Sequence, residues 1–227
     1  MRIAFLGDSL TEGRPGESFL ARLGPLLPGD QLVNHGRAGD TIPGLLARLE
    51  EGELAAADLA VVWIGTNDAF LGEWYLPPLL EADDDRGGGS AGEAATGAGG
   101  GGEIAGGRVA RALRPLYDRV LELTLSRAQR AVCVPPVLPD PFEEGGIADR
   151  VAGIGAMVAA AAAARAPRAR LFELAPVFAT VTAREPRLRF TLDGVHLNAR
   201  GAGVVAATFS ELIDSSRGEW AAPTAPP

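Results

Sequence analysis

A near-continuous apolar run at residues 58–64 constrains the fold most strongly. A strand that is apolar on both faces must lie inside a sheet that is covered on both sides, as in parallel sheets of α/β proteins. A second run, at 3–6, is stopped by glycine and predicts another buried strand that ends in a tight turn. Three further strands are predicted at 31–35, 130–134 and 170–174.

Helical periodicity separates the predicted strands. The helices are expected at 19–27, 41–51, 109–128, 148–165 and 198–213, with Ser18, Thr41 and Asn198 as N-caps. Strands that alternate with helices in this way predict a parallel sheet in a three-layer α/β/α domain. The chain shows no internal repeat and no second core.

The domain organisation is simple. A chain of 227 residues that is 47% apolar can bury one good core, and we assign that domain to residues 1–214. The segment at about 83–107 is rich in glycine and starts with three aspartates, so it is expected to be a flexible surface insertion. Residues 215–227 form a tail rich in proline and alanine.

Composition excludes several classes of function. The net charge of −8 and the scattered arginines argue against nucleic-acid binding. The chain has no lysine, so a P-loop lysine and a Schiff-base lysine are both excluded. Cys133 is the single cysteine and rules out an intrachain disulfide or a multi-cysteine metal site; we expect no metal and no cofactor. Without a leader or a transmembrane segment, the protein is expected to be soluble and cytoplasmic.

Polar or small residues follow three of the predicted strands. Ser9, Gly39 and Asn67 come after the first, second and third strand, so they are expected to meet at one edge of the sheet. The chain has only two histidines. His196 follows Asp193 by three residues and is the candidate base, whereas His35 is interpreted as a structural, hydrogen-bonded residue. Taken alone, Asp193 and His196 are also compatible with a turn and helix-cap network.

Four segments in order resemble the blocks of the GDSL, or SGNH, hydrolases. Residues 5–13 (FLGDSLTEG) resemble the first block, 36–41 (GRAGDT) the second, 65–68 (GTND) the third and 193–198 (DGVHLN) the fifth. The resemblance implies a flavodoxin-like, five-stranded sheet of order 2-1-3-4-5 and a serine esterase or lipase.

Carried over residue by residue, the resemblance implies a complete acyl-transfer site. Ser9 would be the nucleophile, His196 the general base and Asp193 its orienting partner. The oxyanion hole would comprise the backbone amides of Ser9 and Gly39 with the side-chain amide of Asn67. Asp8 and Asp68 are interpreted as turn-stabilising residues.

The predicted partner is a small-molecule ester, whose acyl and alcohol parts the sequence leaves open. Phe70, Trp74, Tyr75 and Phe142 are candidates for the pocket wall, although these aromatic side chains could equally seal the base of the insertion. An acyltransferase, or a binding protein for an ester or carbohydrate on the same fold, remains an alternative to a hydrolase.

Overall fold

The computed structural model describes residues 1–76, 101–141 and 145–219. For residues 73, 74, 101–106, 218 and 219, only the backbone is described. Phe142, residues 83–100 of the predicted insertion and the end of the tail lie outside these ranges, so the assigned domain boundaries stay predictions.

One parallel sheet of five strands organises the chain. The strands are β1 (Arg2–Gly7), β2 (Gln31–Gly36), β3 (Ala57–Trp63), β4 (Ala128–Val134) and β5 (Ala169–Leu171). Their order is β2-β1-β3-β4-β5, which confirms the predicted 2-1-3-4-5 arrangement. The last residues of three strands are in register, because Gly7 of β1 pairs with Trp63 of β3 and Trp63 pairs with Val134 of β4. The loops that follow these strands therefore leave the sheet at one edge.

Helices connect the strands and cover both faces of the sheet. They are α1 (Ser9–Glu12), α2 (Phe19–Leu23), α3 (Ile42–Glu50), α4 (Thr66–Leu71), α5 (Gly101–Arg127), α6 (Ile147–Ala163), α7 (Ala175–Arg184) and α8 (Ala199–Glu219). Short 3-10 segments occur at Gly24–Leu26 and Gly72–Tyr75. The three predicted N-caps are confirmed: Ser18, Thr41 and Asn198 each accept a hydrogen bond from a backbone N–H in the first helical turn.

Alternate side chains of β1 enter two separate core clusters. Ala4 and Leu6 pack on the face covered by α3, α5 and α6, and Phe5 packs on the face covered by α2, α7 and α8. On the second face the ring of Phe209 lies 6.0 Å from Phe5 and 5.4 Å from Phe19, as ring centroids, in edge-on and tilted contacts. Burial on both faces fixes the sheet as a rigid frame for the loops at its edge.

The structure differs from the sequence-based prediction in several helices, and the short helices α1 and α4 were not predicted. Helix α5 begins at Gly101, whereas glycine-rich composition predicts a helix start only near residue 109; extending a packed helix is easier than nucleating one, which offsets the low propensity of glycine. Helix α7 was not predicted. It is short and contains threonine, but burial of Phe178 against Phe190, with ring centroids 5.2 Å apart, holds it in place.

No helix within the described ranges combines the length and the apolar character needed to cross a bilayer. The cytoplasmic location stays a prediction.

Candidate active site

Ser9 is placed by the tight turn at the end of β1. Gly7 closes the strand, where a Cβ atom would lie 2.2 Å from the carbonyl oxygen of Trp63, so no larger residue fits without a shift of the backbone. Asp8 then caps α1 by accepting a hydrogen bond from the backbone N–H of Leu10 at 3.0 Å. Ser9 is the first residue of this helix and is only 5% exposed.

A chain of hydrogen bonds joins Ser9 to the loop before α8. The hydroxyl of Ser9 lies 3.1 Å from Nε2 of His196, and Nδ1 of His196 lies 2.6 Å from Oδ2 of Asp193. A carboxylate can only accept, so Nδ1 of the neutral ring carries the proton and Nε2 presents its lone pair to the serine. The structure thus brings together three side chains that are up to 187 positions apart in the sequence.

Asp193 is held in the charged form by its surroundings. Its partial burial raises the pKa, but hydrogen bonds from the ring of His196 and from the backbone N–H groups of His196 and Val195 outweigh this effect. The pKa of Asp193 is therefore lower than the ordinary value, and the carboxylate is available to orient the imidazole at neutral pH.

The turn after β2 approaches the same edge of the sheet. Gly39 has φ of +77°, in the left-handed region that favours glycine. The turn is fixed at both sides, because the N–H of Arg37 donates to the carbonyl of Gly7 at 3.1 Å and the N–H of Ala38 donates to the carboxylate of Glu12 at 2.6 Å. Residues of β1 and α1 therefore set the position of Gly39 relative to Ser9.

Asn67 connects the turn after β2 to the helix after β3. It lies in the first turn of α4, and its side-chain amide donates to the backbone carbonyl of Asp40 at 2.8 Å. A side-chain amide has two hydrogens, so one is used in this bond and, among the residues described, the second has no acceptor shown. Ser9, Gly39 and Asn67 thus lie in the segments that follow β1, β2 and β3, and the turn after β2 is hydrogen-bonded to each of the other two segments.

A family model matches residues 5–204, which is most of the chain, and its description is GDSL-like lipase/acylhydrolase. The chain belongs to the GDSL-like lipase/acylhydrolase family. It is accordingly a carboxylic ester hydrolase by family membership. A search among curated proteins gave no match.

Solved structures of other proteins share this fold. Axe2, an acetylxylan esterase from Geobacillus stearothermophilus, superposes with a TM-score of 0.66 at 19% identity over 93% of each chain. A lipolytic GDSL-family protein from Veillonella parvula gives a TM-score of 0.66 at 15% identity, covering 94% of this chain and 98% of the other. LAE5, an α/β hydrolase enzyme from the metagenome of Lake Arreo, gives 0.63 at 20% identity over 92% of each. At these identities the likeness establishes the fold.

Two buried carboxyl groups of this GDSL chain lie beneath the candidate site. Asp8 is 1% exposed and Asp68 is 0% exposed. Burial raises the pKa of Asp8 to about 7, and the neighbouring charge of Asp68 adds to the effect. Burial also raises the pKa of Asp68 to about 6, against hydrogen bonds from Tyr75 and from the backbone N–H of Ile42. Both carboxyl groups hold backbone turns in place, as the sequence predicts.

We expect Asp8→Asn to change the pH dependence of stability. The folded pKa of about 7 exceeds the unfolded value of 3.8, so the contribution of Asp8 is greatest below pH 4 and is lost as pH rises through about 7. The asparagine can still cap α1, because its oxygen accepts from Leu10. Relative to this variant, the wild type should lose up to about 1.4 kcal/mol of unfolding free energy per pH unit across that window.

Urea unfolding at closely spaced pH values measures this effect. The exposed substitution Glu211→Gln serves as the control and should change stability by the same small amount at every pH. A constant difference between the wild type and Asp8→Asn would contradict the buried, proton-binding carboxyl at residue 8.

An ion pair between Asp40 and Arg48 also supports the turn after β2. Asp40 accepts from Nε of Arg48 at 3.0 Å, and the guanidinium also donates to the carbonyl of His35 at 3.1 Å. Both partners are nearly buried. His35 itself faces Glu53, with 3.3 Å between Nδ1 and Oε1, consistent with a structural role. Arg48 was not singled out in the sequence analysis, because an arginine on a helix face gives no sign of its partners.

The predicted pocket residues are only partly accounted for. The hydroxyl of Tyr75 donates to Asp68, Phe70 is half-buried, and the side chain of Trp74, like all of Phe142, is not described. Their role in binding an acyl group stays a prediction. Among the residues that the structure describes, no three His, Cys, Asp or Glu side chains are grouped as metal ligands.

Proposed function

We propose that this GDSL enzyme hydrolyses a carboxylic ester through an acyl-enzyme intermediate with Ser9 as nucleophile. The observation that carries the proposal is the hydrogen-bond chain from Asp193 through His196 to Ser9, with distances of 2.6 and 3.1 Å. A nucleophile within reach of a base that is oriented by a third group is the arrangement that activates a hydroxyl.

Acylation begins when Nε2 of His196 takes the proton of Ser9 and Oγ attacks the ester carbonyl carbon. The carbonyl oxygen becomes an oxyanion, for which we propose the backbone N–H groups of Ser9 and Gly39 and the second amide hydrogen of Asn67 as donors. Asp193 stabilises the imidazolium that forms. His196 then gives its proton to the leaving alkoxide, the C–O bond breaks, and the acyl group remains on Ser9.

Deacylation repeats these steps with water. His196 removes a proton from a water molecule, whose oxygen attacks the acyl carbon, and the same donors stabilise the second oxyanion. When this intermediate collapses, the proton returns from His196 to Oγ of Ser9 and the carboxylic acid leaves. No external oxidant, metal or cofactor is needed for the balance of this reaction.

A structural neighbour supports these assignments. Alanine replacements of a serine, an aspartate and a histidine in Axe2 are described as catalytic mutants, and that aspartate and histidine are three positions apart. Asp193 and His196 have the same spacing. Because Axe2 is described as an acetylxylan esterase, acetyl esters, including acetylated xylooligosaccharides, are the first substrates to test.

A series of p-nitrophenyl esters of increasing acyl length tests the proposal. We expect turnover of at least one ester, progressive loss of turnover with a serine-directed phosphonate, and a kcat/KM that rises with pH, because a general base accepts a proton only in its unprotonated form. The series also reports the size of the acyl pocket. Absence of turnover for every ester, turnover that the phosphonate leaves intact, or a flat profile from about pH 5 to about pH 9 would contradict the proposal.

A further inference from the structure

A buried carboxylate lies in the loop that follows β4, outside the triad and the three oxyanion candidates. Asp140 is 6% exposed and lies between two prolines in the loop that follows Val134. A buried carboxylate is unfavourable unless hydrogen-bond donors surround it. The hydrogen-bond donors to Asp140 therefore indicate which segment of the chain this loop stabilises.

The donors to Asp140 all come from the start of the loop that carries His196. The backbone N–H of Phe190 lies 3.0 Å from Oδ2 and 3.2 Å from Oδ1, and the N–H of Thr191 lies 2.9 Å from Oδ2. The hydroxyl of Thr191 also donates to Oδ2. Three donors from Phe190 and Thr191 thus hold the start of the His196 loop against the loop after β4.

Thr191 connects Asp140 to the tip of the loop that carries His196. Its hydroxyl oxygen accepts from the backbone N–H of Gly194 at 3.1 Å, and Gly194 lies between Asp193 and His196. The loop is closed on itself as well, because the N–H of Leu192 donates to the carbonyl of His196 at 2.8 Å. A continuous series of hydrogen bonds therefore connects Asp140 to the backbone that carries the acid and the base.

The sheet connects the loop that carries Asp140 to the segment that carries Ser9. Val134, at the end of β4, is paired with Trp63 of β3, which is paired with Gly7 of β1, two residues before Ser9. The N–H of Glu17 donates to the carbonyl of Leu197 at 2.8 Å and ties the other end of the loop to the segment after α1. The loop is thus held at both ends relative to the serine.

We propose that Asp140 is a positioning residue that acts through Thr191 to hold Asp193 and His196 at reacting distance from Ser9. The inference rests on the proposed function of Ser9 and His196. Small displacements of reacting groups can lower rates by up to about 100-fold, and a loop without helix or strand structure needs such a support to keep its geometry.

Matched substitutions at the two linked residues test this role. We expect Asp140→Ala and Thr191→Val to lower kcat by about 10- to 100-fold with little change in KM, because the substrate still binds while the base is displaced. Thr191→Ser keeps the hydroxyl and should retain a kcat close to that of the wild type. Asp149→Asn, which changes an exposed carboxylate at the start of α6, serves as the control.

Proton NMR separates positioning from general stability. The imidazole Nδ1–H proton of His196, hydrogen-bonded to Asp193, should give a downfield resonance in the wild type and in Thr191→Ser. It should move or broaden in Thr191→Val and Asp140→Ala. Unchanged kcat in both of these variants, or a lower Tm with an unchanged resonance, would overturn the inference. If Asp140→Ala does not fold, the kcat and the resonance of Thr191→Val, compared with those of Thr191→Ser, are sufficient to test the inference.

Failure of the proposed function has a different signature. If Ser9→Ala retained turnover, the nucleophile would be wrong whatever the result at Asp140. If Ser9→Ala were inactive and the variants at 140 and 191 were fully active, only the positioning role would fail.

Discussion

Ser9→Ala is expected to reduce kcat for ester hydrolysis by ~10⁴-fold or more with the fold intact. The substitution removes the attacking oxygen, and the remaining donors and binding contacts can support only slow attack by water. Ser9 is 5% exposed, and its hydroxyl is hydrogen-bonded to the ring of His196, so the loss of stability should be small. Steady-state kinetics and circular dichroism on the same preparation measure both effects.

Ser126→Ala is the matched control for this result. Ser126 is an exposed residue near the end of α5, and its hydroxyl donates only to the carbonyl of Leu123 at 2.7 Å. It should retain full activity. Turnover by Ser9→Ala within a few-fold of that of the control would rule out Ser9 as the nucleophile.

Asn67→Ala is expected to lower kcat by ~10²-fold or more, because one of three proposed donors to the oxyanion is lost. The charge on that oxygen develops in the transition state, so the effect should appear in kcat much more than in KM. The substitution also removes the 2.8 Å hydrogen bond to the carbonyl of Asp40, and a modest fall in Tm should accompany it.

The split between kcat and KM decides the role of Asn67. A change confined to KM would indicate that the side chain only binds the ground state of the substrate. Asp40→Asn offers a comparison, because it weakens the ion pair with Arg48 that supports the same turn without removing the amide of Asn67. Asp40→Asn should lower Tm, and its kcat should fall less than the kcat of Asn67→Ala.

The sequence pattern predicted a parallel sheet and the meeting of distant segments, and the resemblance to the GDSL hydrolases implied the order of the strands. The apolar runs at 3–6 and 58–64 are buried strands because their composition fits no other place in a three-layer fold. The motif residues that follow these runs share an edge because parallel strands end there together. Both arguments depend on local patterns and on the order of the blocks along the chain.

The supports of the site could not be predicted in the same way. Asp140 contacts residues that are 50 and 51 positions away, and no spacing rule relates such distant positions. One available signal was its place after a strand, as for Ser9 and Asn67. The raised pKa of Asp8 likewise depends on burial and on Asp68, which tertiary structure alone determines. Helix α7 was missed because packing of Phe178, and not local propensity, holds it.

The most direct test of the nucleophile is to map the covalent adduct of a serine-directed phosphonate by mass spectrometry. The account predicts one adduct per chain on the peptide that contains Ser9, formed more slowly in His196→Ala and absent in Ser9→Ala. An adduct on another residue, or labelling of Ser9→Ala at the wild-type rate, would contradict it.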